Sequence, residues 1–544
     1  MRLYFKNVRT LFEHVEKSHK DSIAFTVKLA EDTYREISFG ELAEEIRALA
    51  AYLTEKGYKP GDKVGVIGVN CYEWAVVFYG TMYAGLVSVP MDNRLFPEEI
   101  ERLIERSHAK GFFYTRNHRN TMAKFEGIES HCMNGEEAKD GFLKVIAEGK
   151  ALLEKDRSLC ERNPIDENAL GILMFTSGTT AESKGVMLSQ RNLLSNTVDL
   201  CEILDFKGLI YAALIPFHHS FGVGAMTLFM ATGVKTVFPE GLRIAKCLNE
   251  YKVSLLVGVP AIFNAVRKTI FKAVEEKGKT KTVQFGLKLT KFLRKLGIDI
   301  RKKIFAEIHE SLGGNLKVMI SGASALDSEI SDFFNGIGID MIQGYGLTET
   351  APVLSAERPG QLKRGSIGYA MHDVTLDIAG KDEKGIGEII AKGPNVMLGY
   401  YENEEATREV LKDGWFYTGD MGYMDKDGYV FITGRKKNVI VLNNGKNVFP
   451  EELEQLLDAL DGVNESLVYV KEEGGKERLC AKIVYDKDLF DSEEKAYAAI
   501  EPQIKKVNET LVDYKQIRDF HVTDKAMEKT TTAKVKRNVE LAKL

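Results

Sequence analysis

The chain has 544 residues, of which 44% are hydrophobic, 9% aromatic and 28% charged, and it carries a formal net charge of −5. These values are typical of a globular protein with two or more domains, and they exclude a disordered or fibrous chain. The acidic balance, with a pI near 6.2, argues against nucleic acid as a partner, because nucleic-acid-binding domains usually carry a basic patch.

Cysteine spacing and the N-terminal residues predict a cytoplasmic protein. The six cysteines lie far apart and form no C-x-x-C pair, which is typical of reduced thiols rather than a disulfide framework or a zinc site. The first residues, MRLYFKNVRTLFEHVEKSHKD, carry too many charges for a secretory signal. The stretch 208–234 is long enough to span a bilayer. It contains two histidines but no aspartate, glutamate, lysine or arginine. Because Pro216, these histidines and several glycines interrupt it, we predict a buried strand, a polar loop and a buried helix instead.

Short apolar runs alternate with amphipathic stretches through most of the chain. One stretch, 73–83, has helical spacing. The apolar runs that predict strands are 64–69, 87–90, 170–175, 209–215, 253–257, 316–320 and 340–342. This alternation is typical of an α/β protein with largely parallel sheets. We therefore expect a large N-terminal domain built of layered α/β subdomains.

A polar, basic joint at 434–438, GRKKN, marks a change in character. Beyond it, two apolar runs flank Asn444-Gly445, a pair that suits the tight turn of a hairpin. Pro450 then begins a helix with acidic residues in its first turn. The sequence thus predicts domains 1–434 and 435–544, the second being a small, mobile α+β domain.

Residues 264–315 form a distinct basic segment. Apolar residues between Phe285 and Ile300 follow a helical face, with lysines and arginines around them. A basic amphipathic helix fits an anionic membrane surface, which predicts peripheral membrane contact through 281–303. The alternative is a solvated surface helix that packs on the main domain.

A hydroxyl-rich segment with glycines, TSGTTAESKG, follows the strand predicted at 170–175. It fails the phosphate-binding pattern G-x-x-x-x-G-K-[ST] twice, because Ser183 replaces the second glycine and Gly185 follows Lys184. A second fragment, Gly278-Lys279-Thr280, fails because Ala273 replaces the first glycine. The backbone N–H groups, hydroxyls and lysine of the first segment can still hold phosphate oxygens.

Four further motifs follow in order along the chain. They are QGYGLTET at 343–350, YTGD at 417–420, GRKK at 434–437 and KTTTAKVKR at 529–537. In this order the whole set resembles the adenylate-forming superfamily, the AMP-dependent synthetases and ligases, over nearly the entire chain. The resemblance implies that superfamily's fold and its two-step reaction. A carboxylate attacks the α-phosphate of ATP and releases pyrophosphate, and a thiol, usually that of coenzyme A, then takes the acyl group.

The resemblance also implies a role for individual residues. Those it assigns to ATP or AMP are Thr176, Ser177, Gly178, Thr179, Thr180, Lys184, Gly322, Ala323, Ser324, Gln343, Gly344, Tyr345, Gly346, Thr348, Asp420, Arg435 and Lys534. Thr176 and Glu349 would place Mg²⁺, an ion that prefers oxygen ligands and phosphates. Lys534 would bridge the carboxylate and the α-phosphate. Lys437 matches the hinge about which the small domain swings between the two steps.

Taken singly, each of these residues also fits an ordinary structural role. Asp420 could be a turn residue, Tyr345 a core aromatic, Glu349 a helix cap and Lys534 part of a solvated tail. The ordered set favours function. The chain departs from the family pattern at three positions where glycine or proline is usual, without losing a functional side chain: Ala181, Ser183 and Ala533.

The stretch Pro216-Phe217-His218-His219-Ser220 resembles the P-x-H-H-[ST] motif of long-chain fatty acyl-CoA synthetases. The acyl-binding residues that this resemblance implies are His218, His219, Phe221, Gly222 and Val223, and His218 joins Lys534, Glu349 and Thr176 in the catalytic set. Because no charged residue nearby would select the ammonium group of an amino acid, we expect a medium- or long-chain fatty acid, with coenzyme A as the acceptor. Three alternatives stay open: an acyl carrier protein as acceptor, acyl-adenylate formation without a thiol step, and a weakly catalytic nucleotide- or lipid-binding sensor, which would not need Lys534.

Overall fold

The computed structural model describes residues 2–125, 127–176, 183–239, 244–443, 446–473, 476–529 and 535–544. They form two compact units. The first unit comprises the described residues of 2–176, 183–375 and 392–414, and the second those of 376–391 and 415–544. The sequence predicts a boundary at Gly434 between a large domain and a small domain that moves relative to it. That boundary stays a prediction.

The helices lie where apolar residues recur with helical spacing. In chain order they are α1 Val8–His19, α2 Phe39–Glu55, α3 Tyr72–Tyr83, α4 Pro97–Ser107, α5 Arg119–Met122, α6 Phe142–Lys155, α7 Gln190–Leu200, α8 Ser220–Thr232, α9 Ile244–Glu250, α10 Pro260–Glu276, α11 Thr280–Lys295, α12 Arg301–Ile304, α13 Ala306–Ser311, α14 Ser328–Ile337, α15 Glu404–Val410, α16 Pro450–Asp458, α17 Glu493–Thr510 and α18 Arg537–Leu541.

In chain order the strands are β1 Ile23–Ala30, β2 Thr33–Ser38, β3 Lys63–Ile67, β4 Val87–Met91, β5 Gly111–Tyr114, β6 Glu129–Cys132, β7 Leu170–Thr176, β8 Lys184–Ser189, β9 Ile210–Ala212, β10 Lys235–Val237, β11 Leu255–Gly258, β12 Val318–Ser321, β13 Asp340–Gly346, β14 Val353–Ala356, β15 Tyr369–Ala370, β16 Thr375–Ala379, β17 Gly387–Lys392, β18 Gly399–Tyr400, β19 Leu411–Lys412, β20 Trp415–Met424, β21 Val430–Arg435, β22 Ile440–Val441, β23 Asn447–Val448, β24 Val463–Glu473, β25 Lys476–Tyr485 and β26 Asp519–Thr523. Each of the seven predicted apolar runs overlaps a strand (β3, β4, β7, β9, β11, β12 and β13), and the structure has further strands that were not predicted.

Two large sheets form the first unit. One has the strand order β15-β14-β13-β12-β11-β9-β10-β1-β2, and the other β18-β8-β7-β4-β3-β5-β6. The inner strands are parallel, and the edges are antiparallel except at β6, which pairs in parallel with β5. The fully buried strand β4 is apolar almost throughout, as expected when helices cover both faces of a parallel sheet. The predicted α/β class with largely parallel sheets is therefore confirmed.

The second unit is smaller and mixes strands with helices. Strands β16, β17 and β20 are neighbours in one sheet, in which β21 also pairs with β20. Strands β22 and β23 form a hairpin, and β24, β25 and β26 form a further sheet in that order. The predicted hairpin after the joint is confirmed, because Ile440 pairs with Val448, although its Asn444-Gly445 turn lies outside the described residues. Pro450 is the first residue of α16, where its missing N–H costs no helical hydrogen bond. An apolar core that includes Leu453, Val468 and Ile500 lies beneath the β24-β25-β26 sheet.

The uncharged stretch 208–234 folds as predicted into a short strand, a loop and a buried helix, β9 and α8. Among the described residues, no helix is long and apolar enough to cross a membrane. The six cysteines, all described, are unpaired thiols.

The helix predicted to reach Ile300 is shorter than expected. Helix α11 ends at Lys295, and Gly297 follows with a φ of 78°, in the left-handed region that favours glycine. The predicted helix continued past Gly297 because Leu296 and Ile300 keep the apolar spacing of a helix. Residues after Gly297 belong to a separate turn and the short helix α12.

Candidate active site

Strand register places Thr176 opposite Lys184 in the first unit. The two residues are direct Cα partners in the antiparallel pair β7–β8, and the Thr176 hydroxyl donates a hydrogen bond to the Lys184 carbonyl at 3.3 Å. The predicted phosphate segment therefore begins and ends at neighbouring points of one sheet. Its members Ser177, Gly178, Thr179 and Thr180 lie outside the described residues.

A buried tyrosine connects the predicted phosphate lysine to the predicted magnesium ligand. The Lys184 ammonium lies 4.6 Å from the centroid of the Tyr400 ring, and the Tyr400 hydroxyl donates to Glu349 Oε1 at 2.8 Å. Strand β18 fixes this tyrosine, because Tyr400 pairs with Val186, two residues after the lysine. Within the part of the chain that the structure describes, the other carboxylate oxygen of Glu349 accepts no hydrogen bond. An exposed lone pair on a carboxylate suits a hard cation such as Mg²⁺.

Glu349 belongs to a single 3₁₀ turn, Thr348–Thr350, which follows β13. Its carbonyl accepts the Met397 N–H at 2.8 Å, and the Asn395 amide donates to the Thr350 carbonyl at 2.8 Å. These contacts hold the turn against the segment that leads into Tyr400. The carboxylate and its tyrosine partner are therefore positioned by one local scaffold.

The predicted adenine segment, Gln343 to Gly346, forms the half-buried end of β13. At Gly346 an added Cβ would lie 1.8 Å from the Pro352 carbonyl oxygen, so the protein's own backbone requires glycine there. At Gly344 an added Cβ would meet no described atom within 4 Å. Packing therefore does not explain Gly344, whereas close approach of a ligand would.

A buried carboxyl group supports the same strand. The Glu357 side chain accepts the Gln343 N–H at 2.9 Å, and the Glu357 N–H donates to the Gln343 carbonyl at 2.9 Å. Burial raises the pKa of Glu357 to about 7, although its hydrogen bonds to Gln343 act in the opposite direction. This residue was not anticipated, since sequence alone does not show that a glutamate will be buried.

The segment Gly322-Ala323-Ser324 lies next to the predicted acyl residues. An added Cβ at Gly322 would meet the Phe221 ring at 3.0 Å, so glycine leaves space for that ring. Ala323 has a φ of 70°, which is rare for a residue with a side chain, and Ser324 is exposed. The Ser220 hydroxyl lies 3.0 Å from the Thr348 hydroxyl. The structure thus brings the start of α8 together with both predicted nucleotide segments of the first unit.

The two predicted acyl-site histidines have different surroundings. His218 Nε2 lies 3.3 Å from Asp92 Oδ1, and both side chains are largely buried. His219 Nδ1 accepts the Phe221 N–H at 3.2 Å and caps the start of α8. Val223 is buried, and an added Cβ at Gly222 would lie 2.1 Å from the Pro216 carbonyl oxygen. His219 and Gly222 therefore have clear roles in the fold, and His218 has a carboxylate partner.

In the second unit, Asp420 and Arg435 form a cross-strand ion pair. They are Cα partners in β20 and β21, and Arg435 Nε lies 2.7 Å from Asp420 Oδ1. The Asp420 side chain is buried, whereas that of Arg435 is about one third exposed, at 36%. Lys437 lies in the 3₁₀ turn Lys436–Asn438 that follows at once. The motifs YTGD and GRKK thus meet in one structural element.

Lys534 and Ala533, like Ala181, lie outside the described residues, but the ends of the C-terminal motif are described. Lys529 and Val535 form an isolated antiparallel bridge, and the Lys536 N–H donates to the Glu528 carbonyl at 2.8 Å. Glu465 accepts the Met527 N–H at 2.9 Å and pairs with Lys529 at 2.6 Å. A buried carboxylate, that of Glu465, therefore holds the chain on the N-terminal side of the predicted catalytic lysine.

Tyr400 was missed at the sequence level. Its neighbours, Gly399 and Tyr401, carry no feature that marks the position as functional, and its two partners lie far from it along the chain. Only the pairing of β18 with β8 reveals the contact.

Residues 11–401 match the family described as AMP-binding enzyme, and 437–543 match the AMP-binding enzyme C-terminal domain. The chain belongs to the AMP-binding enzyme family. This confirms the predicted membership of the adenylate-forming superfamily and the predicted class of enzyme, an AMP-forming acid–thiol ligase.

Several curated relatives are named as long-chain fatty acid ligases, the class that the P-x-H-H-[ST] motif predicted. A long-chain-fatty-acid–CoA ligase of Mycobacterium bovis is 27% identical, over 97% of this chain and 94% of that protein. One of Salmonella typhimurium is 27% identical, over 85% and 82%. A chloroplastic long-chain-fatty-acid–[acyl-carrier-protein] ligase of Arabidopsis thaliana is 26% identical, over 83% and 73%.

Solved structures share the fold. ATP-bound MatB from Rhodopseudomonas palustris has a TM-score of 0.76 and 24% identity, over 99% of each chain. A fatty acyl CoA synthetase of Mycobacterium tuberculosis has a TM-score of 0.65 and 20% identity, over 99% of this chain and 98% of that one. The predicted fold, a large N-terminal and a smaller C-terminal domain of an adenylate-forming enzyme, is confirmed.

Proposed function

We propose that this protein is a fatty acid–CoA ligase. It activates a medium- or long-chain fatty acid with ATP to the acyl-adenylate, and it then transfers the acyl group to coenzyme A. The observation that best supports this is the contact series Lys184–Tyr400–Glu349, which unites a phosphate-binding lysine with a metal-binding carboxylate in a chain whose relatives are named long-chain-fatty-acid–CoA ligases.

In the first step, two anions must approach each other. A fatty-acid carboxylate oxygen attacks the α-phosphorus of ATP, and the bond to the pyrophosphate oxygen breaks. Lys184 and the hydroxyls of Thr176, Ser177, Thr179 and Thr180 would hold the β- and γ-phosphates. Mg²⁺, when bound by Glu349 and Thr176, would offset the charge that builds up on the leaving group.

Each unit carries residues that we propose for nucleoside binding. In the first unit, Tyr345 would stack on adenine, and Gly344 would let the base approach the backbone, since an added Cβ there meets no described atom. In the second unit, the buried carboxylate of Asp420 would accept hydrogen bonds from the ribose hydroxyls. Arg435, paired with Asp420 at 2.7 Å, would hold that carboxylate in its orientation.

Lys534 would supply the positive charge between carboxylate and α-phosphate. Its ammonium group offsets charge that is greatest in the transition state, so its contribution should appear in the rate more than in ATP binding. In the second step, the coenzyme A sulfur attacks the acyl carbon, the acyl–phosphate bond breaks, and AMP leaves. Rotation about Lys437 would withdraw Lys534 before this step.

The acyl chain would enter beside His218, His219, Phe221, Gly222 and Val223. The local side chains are apolar or neutral apart from the His218–Asp92 pair, which supports a carboxylic acid with an apolar tail. His218 would contact the carboxylate end of the substrate. The names of the curated relatives support the same substrate class.

An acyl carrier protein is the second candidate acceptor, because a relative that covers 83% of this chain is named as a ligase of that kind. We also propose a peripheral position at a membrane, through 281–303, since fatty acids concentrate in bilayers. The sensor alternative would need ATP binding without turnover.

A pyrophosphate-release assay tests the proposal. It would use ATP and Mg²⁺ with acids from acetate to oleate, benzoate and amino acids, each with and without coenzyme A. We expect release to be greatest with medium- or long-chain fatty acids and to continue past one turnover only with coenzyme A. Turnover only with acyl carrier protein would favour that acceptor, and ATP binding without release from any acid would favour the sensor.

A further inference from the structure

Helix α11 carries a solvent-facing row of alternating lysine and phenylalanine, Lys281, Phe285, Lys288, Phe292 and Lys295, which we call the Lys/Phe stripe. Spacings of four and three residues place all five within an arc of about 80° on the helix circumference. Phe285 is 67% exposed and Phe292 is 59% exposed. Two phenylalanine rings on one helix face are therefore open to solvent.

The opposite face of α11 does the packing. Val283, Gly286 and Thr290 are buried there, and an added Cβ at Gly286 would meet Ile304 and Phe305 at 3.1 Å. Because that face already attaches the helix to the unit, the Lys/Phe stripe is not needed for the apolar core. Exposed rings on a basic helix with a separate packing face indicate an interaction surface.

The apolar surface continues past the end of the helix. Leu296 is 61% exposed and Ile298 is 47% exposed, on either side of Gly297. The stretch 280–298 contains four lysines, one arginine and no acidic residue, a local charge of +5 in a chain whose net charge is −5. Within the described residues, none of the four lysines forms a salt bridge, whereas Asp299 just beyond pairs with Arg301 at 2.6 Å.

We propose that the Lys/Phe stripe and the adjoining Leu296 and Ile298 dock on an anionic lipid surface. Lysines attract anionic headgroups, and their long stems let the charge stay at headgroup level while neighbouring apolar side chains enter the interface. Charge alone would suit an acidic protein equally well. The exposed rings favour lipid, because the stripe is the convex side of a single helix and offers no groove for a folded partner.

The purpose of this surface rests on the proposed function, since a ligase for fatty acids gains from binding where its substrate is dissolved. The binding itself does not depend on catalysis. Vesicle binding measured without ATP or acid therefore separates failure of this inference from failure of the proposed activity.

The test is co-sedimentation of the full-length protein with vesicles of phosphatidylcholine, with and without phosphatidylserine. The charge variant is Lys288→Gln/Lys295→Gln, and its control is Lys144→Gln/Lys155→Gln, two exposed lysines of α6. Each lysine close to an anionic surface contributes roughly fivefold to binding, so we expect the charge variant to bind about 25-fold more weakly and its control to bind like the wild type.

The apolar variant is Phe285→Ser/Phe292→Ser, with Phe96→Ser as its control because Phe96 is 73% exposed elsewhere in the first unit. We expect at least a tenfold loss for the double variant and none for the control. Thermal melting of each protein checks that the fold is kept. The proposal would be overturned if the wild type failed to bind anionic vesicles, or if both stripe variants bound them as tightly as the wild type does. Binding of an acidic carrier protein in place of vesicles would also overturn it.

Discussion

Replacing Tyr400 with phenylalanine should weaken the first chemical step without disturbing the fold. The substitution keeps the ring that lies 4.6 Å from the Lys184 ammonium and removes only the hydroxyl that donates to Glu349 at 2.8 Å. A hydrogen bond to a charged group contributes roughly 1.5–3 kcal/mol. Because Glu349 is only partly buried, we expect the lower end, which corresponds to about a tenfold fall in kcat/KM for pyrophosphate release.

The dependence of the rate on Mg²⁺ concentration distinguishes a loss of Glu349 positioning from a general disturbance of the fold. Without the hydroxyl, the Glu349 carboxylate can rotate, so half-maximal rate should require a higher Mg²⁺ concentration. Tyr401→Phe is the matched control, since that hydroxyl interacts with Glu402 rather than with Glu349. Tyr400→Leu removes the ring as well, and it should reduce the apparent affinity for ATP further by leaving Lys184 without its aromatic contact.

A double-mutant cycle makes the test decisive. If the hydroxyl acts through Glu349, Tyr400→Phe should have almost no further effect in a Glu349→Gln background. The reasoning would be refuted by a Tyr400→Phe variant that keeps the wild-type rate and Mg²⁺ dependence. It would also be refuted by fully additive losses in the double variant.

Three further predictions follow from the charged residues. Lys534→Ala should lower acyl-adenylate formation by at least a hundredfold (~3 kcal/mol) while equilibrium ATP binding changes little, and equal losses in both would contradict a role in the transition state. Asp420→Ala should raise the KM for ATP roughly tenfold or more, because the ribose would lose a buried acceptor; an unchanged KM would exclude Asp420 from the nucleotide site. Glu357→Gln should change how stability depends on pH. The folded protein keeps the Glu357 proton up to a pKa of about 7, whereas the unfolded chain releases it near 4.5. The free energy of unfolding therefore falls as pH rises between these values, by up to about 1.4 kcal/mol per pH unit, and urea denaturation should show that the variant lacks this slope.

Local sequence predicted several inner strands of the first unit because these strands are buried runs of apolar residues. Val87–Met91 and Leu170–Thr176 are apolar runs that end near polar residues, and such runs have few alternatives to a covered strand. The order of the nucleotide motifs likewise led to the family before any contact was known. The helix over 285–300 was predicted too long, since apolar spacing continues through Gly297 while the backbone does not.

Contacts between distant parts of the chain could not be predicted in this way. Tyr400 meets Glu349 across 51 positions, and His218 meets Asp92 although their sequence neighbourhoods share no pattern. Sheet register and the path of the loops decide which side chains meet, and one sequence carries no direct signal of either. The same reason explains why the buried glutamate at 357 and the carboxylates that hold Lys529 and Arg537 were not anticipated.

The direct pairing of Thr176 with Lys184 has a consequence for how this family can vary. Both residues are placed by β7 and β8, so their separation does not depend on the identity of the residues that connect them. Substitutions such as Ala181, or exchange of 177–182 for the corresponding segment of a relative, can accumulate while the two anchors keep their positions. Evolution and protein engineering can therefore change this segment independently of the two strands that position Thr176 and Lys184.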